Sequence, residues 1–206
     1  MKTEQEYIND LSEIRSMMER STKFLSLSGF SGVMAGIYAL LGAIVIYWLF
    51  NLDFIITTNY AVTIPAEDLL PIILIAVSVL LLAVGTAAFL SYKKARRNNE
   101  KVWNPVAKKL ALNMAIPLFT GGIFILIFIS KGLFAFVAPL TLIFYGLALI
   151  NASKFTFGEL RSLGIAQIIL GLISAYFPAL GLLFWAIGFG LMHIAYGIYM
   201  HLKYEK

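Results

Sequence analysis

The run LGIAQIILGLISAYFPALGLLFWAIGFGLMHIAYGIYMHL, from Leu163 to Leu202, decides the fold. It contains no Asp, Glu, Lys or Arg and is broken only by Pro178 and the glycine that follows at 181. Its length is twice the roughly 20 residues that cross a 30 Å hydrocarbon layer. A helix stop at Pro178 divides it into two spans, Leu163–Leu180 and Leu182–Leu202, joined by a tight turn.

Working outward, four further apolar blocks have the same character: Leu25–Phe50, Leu69–Tyr92, Leu110–Ser130 and Leu133–Ala152. None carries a charge at its centre. Across all 206 residues, 60% are hydrophobic and 13% charged, where a soluble domain carries about 25% charge. The sequence therefore predicts an all-α polytopic membrane protein with six transmembrane helices arranged as three antiparallel hairpins. It excludes a water-soluble enzyme, a nucleic-acid-binding domain and a disordered chain. Zero cysteines exclude disulfides and thiolate chemistry.

Of the 16 Lys and Arg, only Lys131 falls on the side opposite to the rest. The others cluster before the first span, between spans two and three, between four and five, and after six. By the positive-inside rule both termini are cytoplasmic, placing the protein as a multi-pass component of the inner membrane. The net charge of +5 is then a topology signal, and the run Tyr92-Lys93-Lys94-Ala95-Arg96-Arg97 reads as a stop-transfer segment that also touches anionic headgroups. No nucleic acid is expected as a partner. The polar opening and the length of the first apolar block argue against a cleavable signal peptide.

Residues 1–24 read as a cytoplasmic amphipathic helix. Thr3 to Glu6 fits a capping box, and Tyr7, Leu11, Ile14, Met18 and Leu25 recur at heptad spacing. Its mixed charges leave two surfaces open to it, the bilayer and a cytoplasmic protein. Residues 203–206 form a cytoplasmic tail. Elsewhere, Asn104-Pro105 predicts an N-cap and N1 proline, Thr156 to Glu159 a second capping box, and Gly132 a helix C′ position. Residues 52–64 read as a short hairpin or an interfacial loop on the outer face.

Tyr145-Gly146 and Tyr196-Gly197 stand 51 residues apart within similar helix-turn-helix units, Gly122 to Asn151 and Gly171 to Met200. These read as parallel hairpin repeats about an axis along the membrane normal. With Gly171 to Gly181 and Gly188 to Tyr199, this pattern resembles the HdeD-type family of small six-span bacterial membrane proteins. The resemblance covers about 90 residues of glycine spacing. It implies a compact helical bundle in the cytoplasmic membrane tied to acid stress, with no catalytic residues to carry over. The N-terminal helix, the basic loop and His193 depart from it.

Candidate site residues follow from polarity at depth. His193, Gln167 and Tyr145 fall on spans six, five and four at similar depth, by a rise of 1.5 Å per residue. They form a candidate intramembrane polar cluster, either a proton relay or ligand contact, or a hydrogen-bonded brace. Ser28, Gly32 and Gly36 form a candidate packing stripe, for a neighbouring helix of the chain or for a homodimer. Pro117 and Pro139 are candidate kinks. No catalytic constellation, cofactor box or metal ligand set emerges: His193 and His201 share one helix, and Ser174 and His193 differ in depth. A non-enzymatic membrane module, stress-related, sensory or accessory, is the leading expectation. A small transporter or channel for a neutral or apolar solute, with its site near His193, is the alternative.

Overall fold

A computed structural model of the chain describes residues 24, 26–50, 64–98 and 103–205. The expected N-terminal helix and the loop at 52–64 lie outside the described residues, Phe24 and Ile64 apart. Every regular element among those described is helical. They are α1 (Gly29–Leu49), α2 (Ala66–Arg97), α3 (Pro105–Ser130), α4 (Val137–Ala152) and α5 (Leu160–Tyr176). The last stretch is compound: α6 (Gly181–Trp185), a π-helical segment Ala186–Met192, and α7 (His193–Tyr204). Single 3₁₀ turns at Phe134–Phe136 and Pro178–Leu180 lead into α4 and α6.

Five of these runs are long and apolar enough to cross a membrane: α1, α2, α3, Phe134–Ala152 and Pro178–Tyr204. The protein is thus built as a multi-pass membrane protein. The fifth run expected from sequence, Leu163–Leu180, is shorter and shifted. Helix α5 has 17 residues, begins three residues early and ends at Tyr176.

Local chemistry explains most boundaries. Asn104 accepts a hydrogen bond from Ala107 N at 2.8 Å, with Pro105 beside it at the first helical position. Gly132 has φ of 72°, the left-handed conformation that ends α3. The capping box expected at Thr156 does not form. Thr156 Oγ1 donates to the carbonyl of Phe24, Glu159 pairs with Lys203 and Tyr204, and the N-terminus of α5 has no side-chain cap. A longer-range demand took both side chains. Pro139 is likewise no kink: α4 starts only at Val137, so Pro139 sits in the first turn, where no intrahelical donor is lost. Pro117 lies inside α3, as expected, and is buried.

Helix pairs meet at glycines. A Cβ on Gly146 would stand 2.6 Å from Gly164 O, and one on Gly164 2.7 Å from Gly146 O, so α4 and α5 touch backbone to backbone. A Cβ on Gly197 would stand 2.6 Å from Gly29 O, and one on Gly29 2.7 Å from Gly197 O, so α7 and α1 do the same. The correspondence continues. Gly171 meets Pro139 O and Ile143 as Gly36 meets Gly190 O and Ile194. Shifting α4 by 51 residues gives the partners in the last stretch, and shifting α5 back by 135 gives α1. The repeat legible in the two Tyr-Gly pairs therefore extends to the first helix. Lipid supplies no hydrophobic drive for helix pairing, so contact at van der Waals distance is what holds each pair.

The buried core lies near one end of the bundle. Leu149, Ala152, Phe157, Leu160, Leu163 and Met200 form its centre, with Leu110, Met114, Tyr145 and Tyr196 packed around them. Helix α2 contributes one stripe toward α1, where Tyr38 and Thr86 share a hydrogen bond of 3.3 Å.

Candidate functional site

The π-helical segment is the local feature that builds the site. Its wider turn, at Ala186–Met192, lies where Gly188 and Gly190 remove two side chains from the helix surface. A Cβ on Gly188 would stand 2.5 Å from both Gln167 Oε1 and Leu142 Cδ2, so any larger residue here would make those two side-chain ends move. π-Helical turns inside longer helices often mark functional sites.

The carbonyl of Gly188 accepts two side-chain hydrogen bonds. Gln167 Nε2 donates to it at 2.7 Å and His193 Nδ1 at 2.9 Å. A carbonyl only accepts, so Nδ1 carries the proton. In the neutral ring Nε2 is then an acceptor, and the Tyr145 hydroxyl donates to it at 2.8 Å. The three residues expected to share a depth are thus one connected network linking α4, α5 and the last stretch. Gly188, its hub, was not legible, because it offers only a backbone atom.

Aromatic rings enclose the network. The Phe189 ring stacks on His193 at 5.8 Å with planes 11° apart, and Tyr145 lies 5.0 Å from Phe189. Gln167 is fully buried and His193 is 6% exposed. Three buried polar atoms have no hydrogen-bond partner among the described residues: Gln167 Oε1, Ser174 Oγ and Tyr196 Oη. Ser174 does not reach His193, whose two ring nitrogens are both occupied. Among the described residues no group of three His, Cys, Asp or Glu could hold a metal.

The packing stripe is occupied from within. Gly32 faces Gly197 and Gly36 faces Gly190 and Ile194, while Ser28 lies 3.5 Å from Glu205. A homodimer would need a different face.

A second polar cluster, missed by sequence reading, ties the ends of three helices together. Glu205 Oε1 accepts from Gly29 N and from Lys94 Nζ, each at 2.9 Å, and Oε2 pairs with His201 Nδ1 at 2.7 Å. Lys94 also donates to Leu27 O at 2.8 Å. A carboxylate at the start of α1 meets the positive end of that helix. Burial alone would raise the Glu205 carboxyl, but Lys94, His201 and the Gly29 N–H together bring its pKa down to about 2. Beside it, burial also opposes ionisation of Glu159, and the hydrogen bonds from Lys203 and Tyr204 outweigh it and lower its pKa. Only the run of basic residues pointed to this end of the bundle, and it gave no hint that Lys94 turns inward.

No family model matches the chain, and neither a curated protein nor a solved structure does.

Proposed function

We propose that the chain is a six-span, non-enzymatic module of the cytoplasmic membrane, sensory or accessory in role, with both termini cytoplasmic. The observation that carries this reading is the network that joins Tyr145, His193, Gln167 and Gly188. Each ring nitrogen of His193 is spent on a group of the same chain, and aromatic rings cover it. Such a network braces three helices and leaves the imidazole no free valence for a substrate. Helix α5 is the sixth span in this reading. It runs beside α4 from the Gly146–Gly164 contact to the Pro139–Gly171 contact, and 17 residues are the lower limit for crossing. The 15-to-1 distribution of basic residues orients the three hairpins. The HdeD-type resemblance supplies acid stress as the condition under which to look for a phenotype.

Transport of a small neutral or apolar solute past His193 is the second reading. The three unpartnered buried atoms, Gln167 Oε1, Ser174 Oγ and Tyr196 Oη, favour it, because a polar path needs unspent hydrogen-bonding capacity.

The test combines topology with transport. Reporter fusions at residues 98, 156 and the C-terminus should read cytoplasmic, and fusions at 59 and 131 external. Proteoliposomes should show no uptake of small neutral solutes above protein-free vesicles, while cells lacking the protein lose acid tolerance. An external C-terminus sinks the six-span arrangement, and uptake abolished by His193→Gln replaces the module with a transporter.

A further inference from the structure

Helix α3 turns one face inward and leaves the other bare. Ala107, Leu110, Met114, Pro117 and Gly121 point into the bundle, with Ala107, Pro117 and Gly121 buried. On the opposite side Lys108, Ala111, Leu112 and Ala115 share one face at helical spacing. With Trp103 and Lys109 they line an open groove of about 440 Å³ whose walls are almost wholly apolar.

The groove has a direction. Its basic rim, Lys108 and Lys109, lies near the start of α3, and Ala115 lies about 10 Å further along the helix axis. The small side chains of Ala111 and Ala115 leave the depression, and Leu112, 67% exposed, borders it. Trp103, 66% exposed, stands at the rim, the level at which tryptophan settles between headgroups and chains. The first turn of α3 holds no acidic residue, and neither lysine makes an ion pair among the described residues. Arg96 and Arg97, closing α2 a few residues upstream, add positive charge at the same end.

We propose that this groove is a binding site for one anionic phospholipid, its phosphate held by Lys108 and Lys109 and an acyl chain lying along Ala111, Leu112 and Ala115. A basic rim over an apolar channel that runs into the membrane complements a molecule with a charged head and a hydrocarbon tail. A soluble phosphate would need the lysines but not the channel. Each lysine near a membrane surface adds attraction for anionic lipid, and Trp103 fixes the height of the glycerol region. The proposal rests on the membrane-spanning reading above but not on its orientation, since the groove is the same in either leaflet.

The experiment is native mass spectrometry of the full chain in detergent, titrated with phosphatidylglycerol or phosphatidylcholine. Wild type should retain one phosphatidylglycerol with about tenfold or greater preference over phosphatidylcholine. Lys108→Gln with Lys109→Gln should erase that preference, Lys108→Arg with Lys109→Arg should keep it, and Lys154→Gln should leave it unchanged. Ala115→Leu, which fills the channel, should lower retention of both lipids. Inorganic phosphate at millimolar concentration should not displace the lipid. Equal retention of the two lipids, an unaffected glutamine pair, or displacement by free phosphate overturns the proposal. So does a dimer that Ala115→Leu splits, which would assign the face to a second copy. A chain released from membranes by alkaline carbonate would instead break the membrane reading, a result distinct from any of these.

Discussion

His193 donates through Nδ1 to the carbonyl of Gly188, five residues earlier in the same helical run. Gly188 lies within the π-helical segment Ala186–Met192, and Gln167 of α5 reaches the same oxygen. A backbone irregularity and two side chains are therefore one unit: the carbonyl belongs to the π-helical segment, and both side chains donate to it.

Substituting the histidine separates bracing from chemistry. His193→Gln should retain part of the network, because an amide can accept from Tyr145. His193→Leu should cost about 0.6–1.7 kcal/mol for the lost bond between helices. Thermal unfolding in detergent, beside an acid-tolerance assay, checks this. A His193→Gln protein that is fully stable yet inactive would show that the imidazole itself is needed.

The Gly188 contact predicts a non-additive pair. Gly188→Ala should destabilise by about 1–3 kcal/mol, since its methyl would overlap Gln167 and Leu142. In a Gln167→Ala background the same change should cost less, because one of the two obstructing groups is gone. Equal costs in both backgrounds would mean that the amide is not where α5 meets the π turn.

Glycines at helix contacts and glycines in open space should respond in opposite ways. Gly164→Ala and Gly197→Ala push a methyl against backbone and should destabilise by about 1–3 kcal/mol. Gly85 and Gly122 have nothing within 4 Å, so alanine there should be neutral or stabilise by up to about 1 kcal/mol through helix propensity. Melting temperatures of the four variants decide it.

The Glu205 cluster predicts an acid-sensitive attachment of the last helix to α1. Its carboxyl pKa is lowered from 4.5 to about 2 in the folded chain. The stability it contributes is therefore present above pH 4.5 and is lost as pH falls toward 2. Amide protection at the start of α1, taken relative to the intrinsic exchange rate at each pH, should fall over that window in wild type. Glu205→Gln should exchange faster already at neutral pH and show a flatter dependence below 4.5.

The sequence by itself determined the membrane class and most of the helices. Long uncharged runs leave the backbone no other way to satisfy its hydrogen bonds in lipid, so length and charge suffice to find them. Local chemistry also settled the cap at Asn104 and the left-handed Gly132, because each acts within a few residues. Only the tertiary structure decided the rest. Thr156 and Glu159 could cap their own helix, but Phe24, Lys203 and Tyr204 claim them from far along the chain. The stripe at Gly32 and Gly36 marks close approach to some helix, and packing alone names that helix as the last one. Depth placed His193, Gln167 and Tyr145 at one level, yet a common level is not a bond. What joins them is the carbonyl of Gly188, in the π-helical segment, to which Gln167 and His193 both donate.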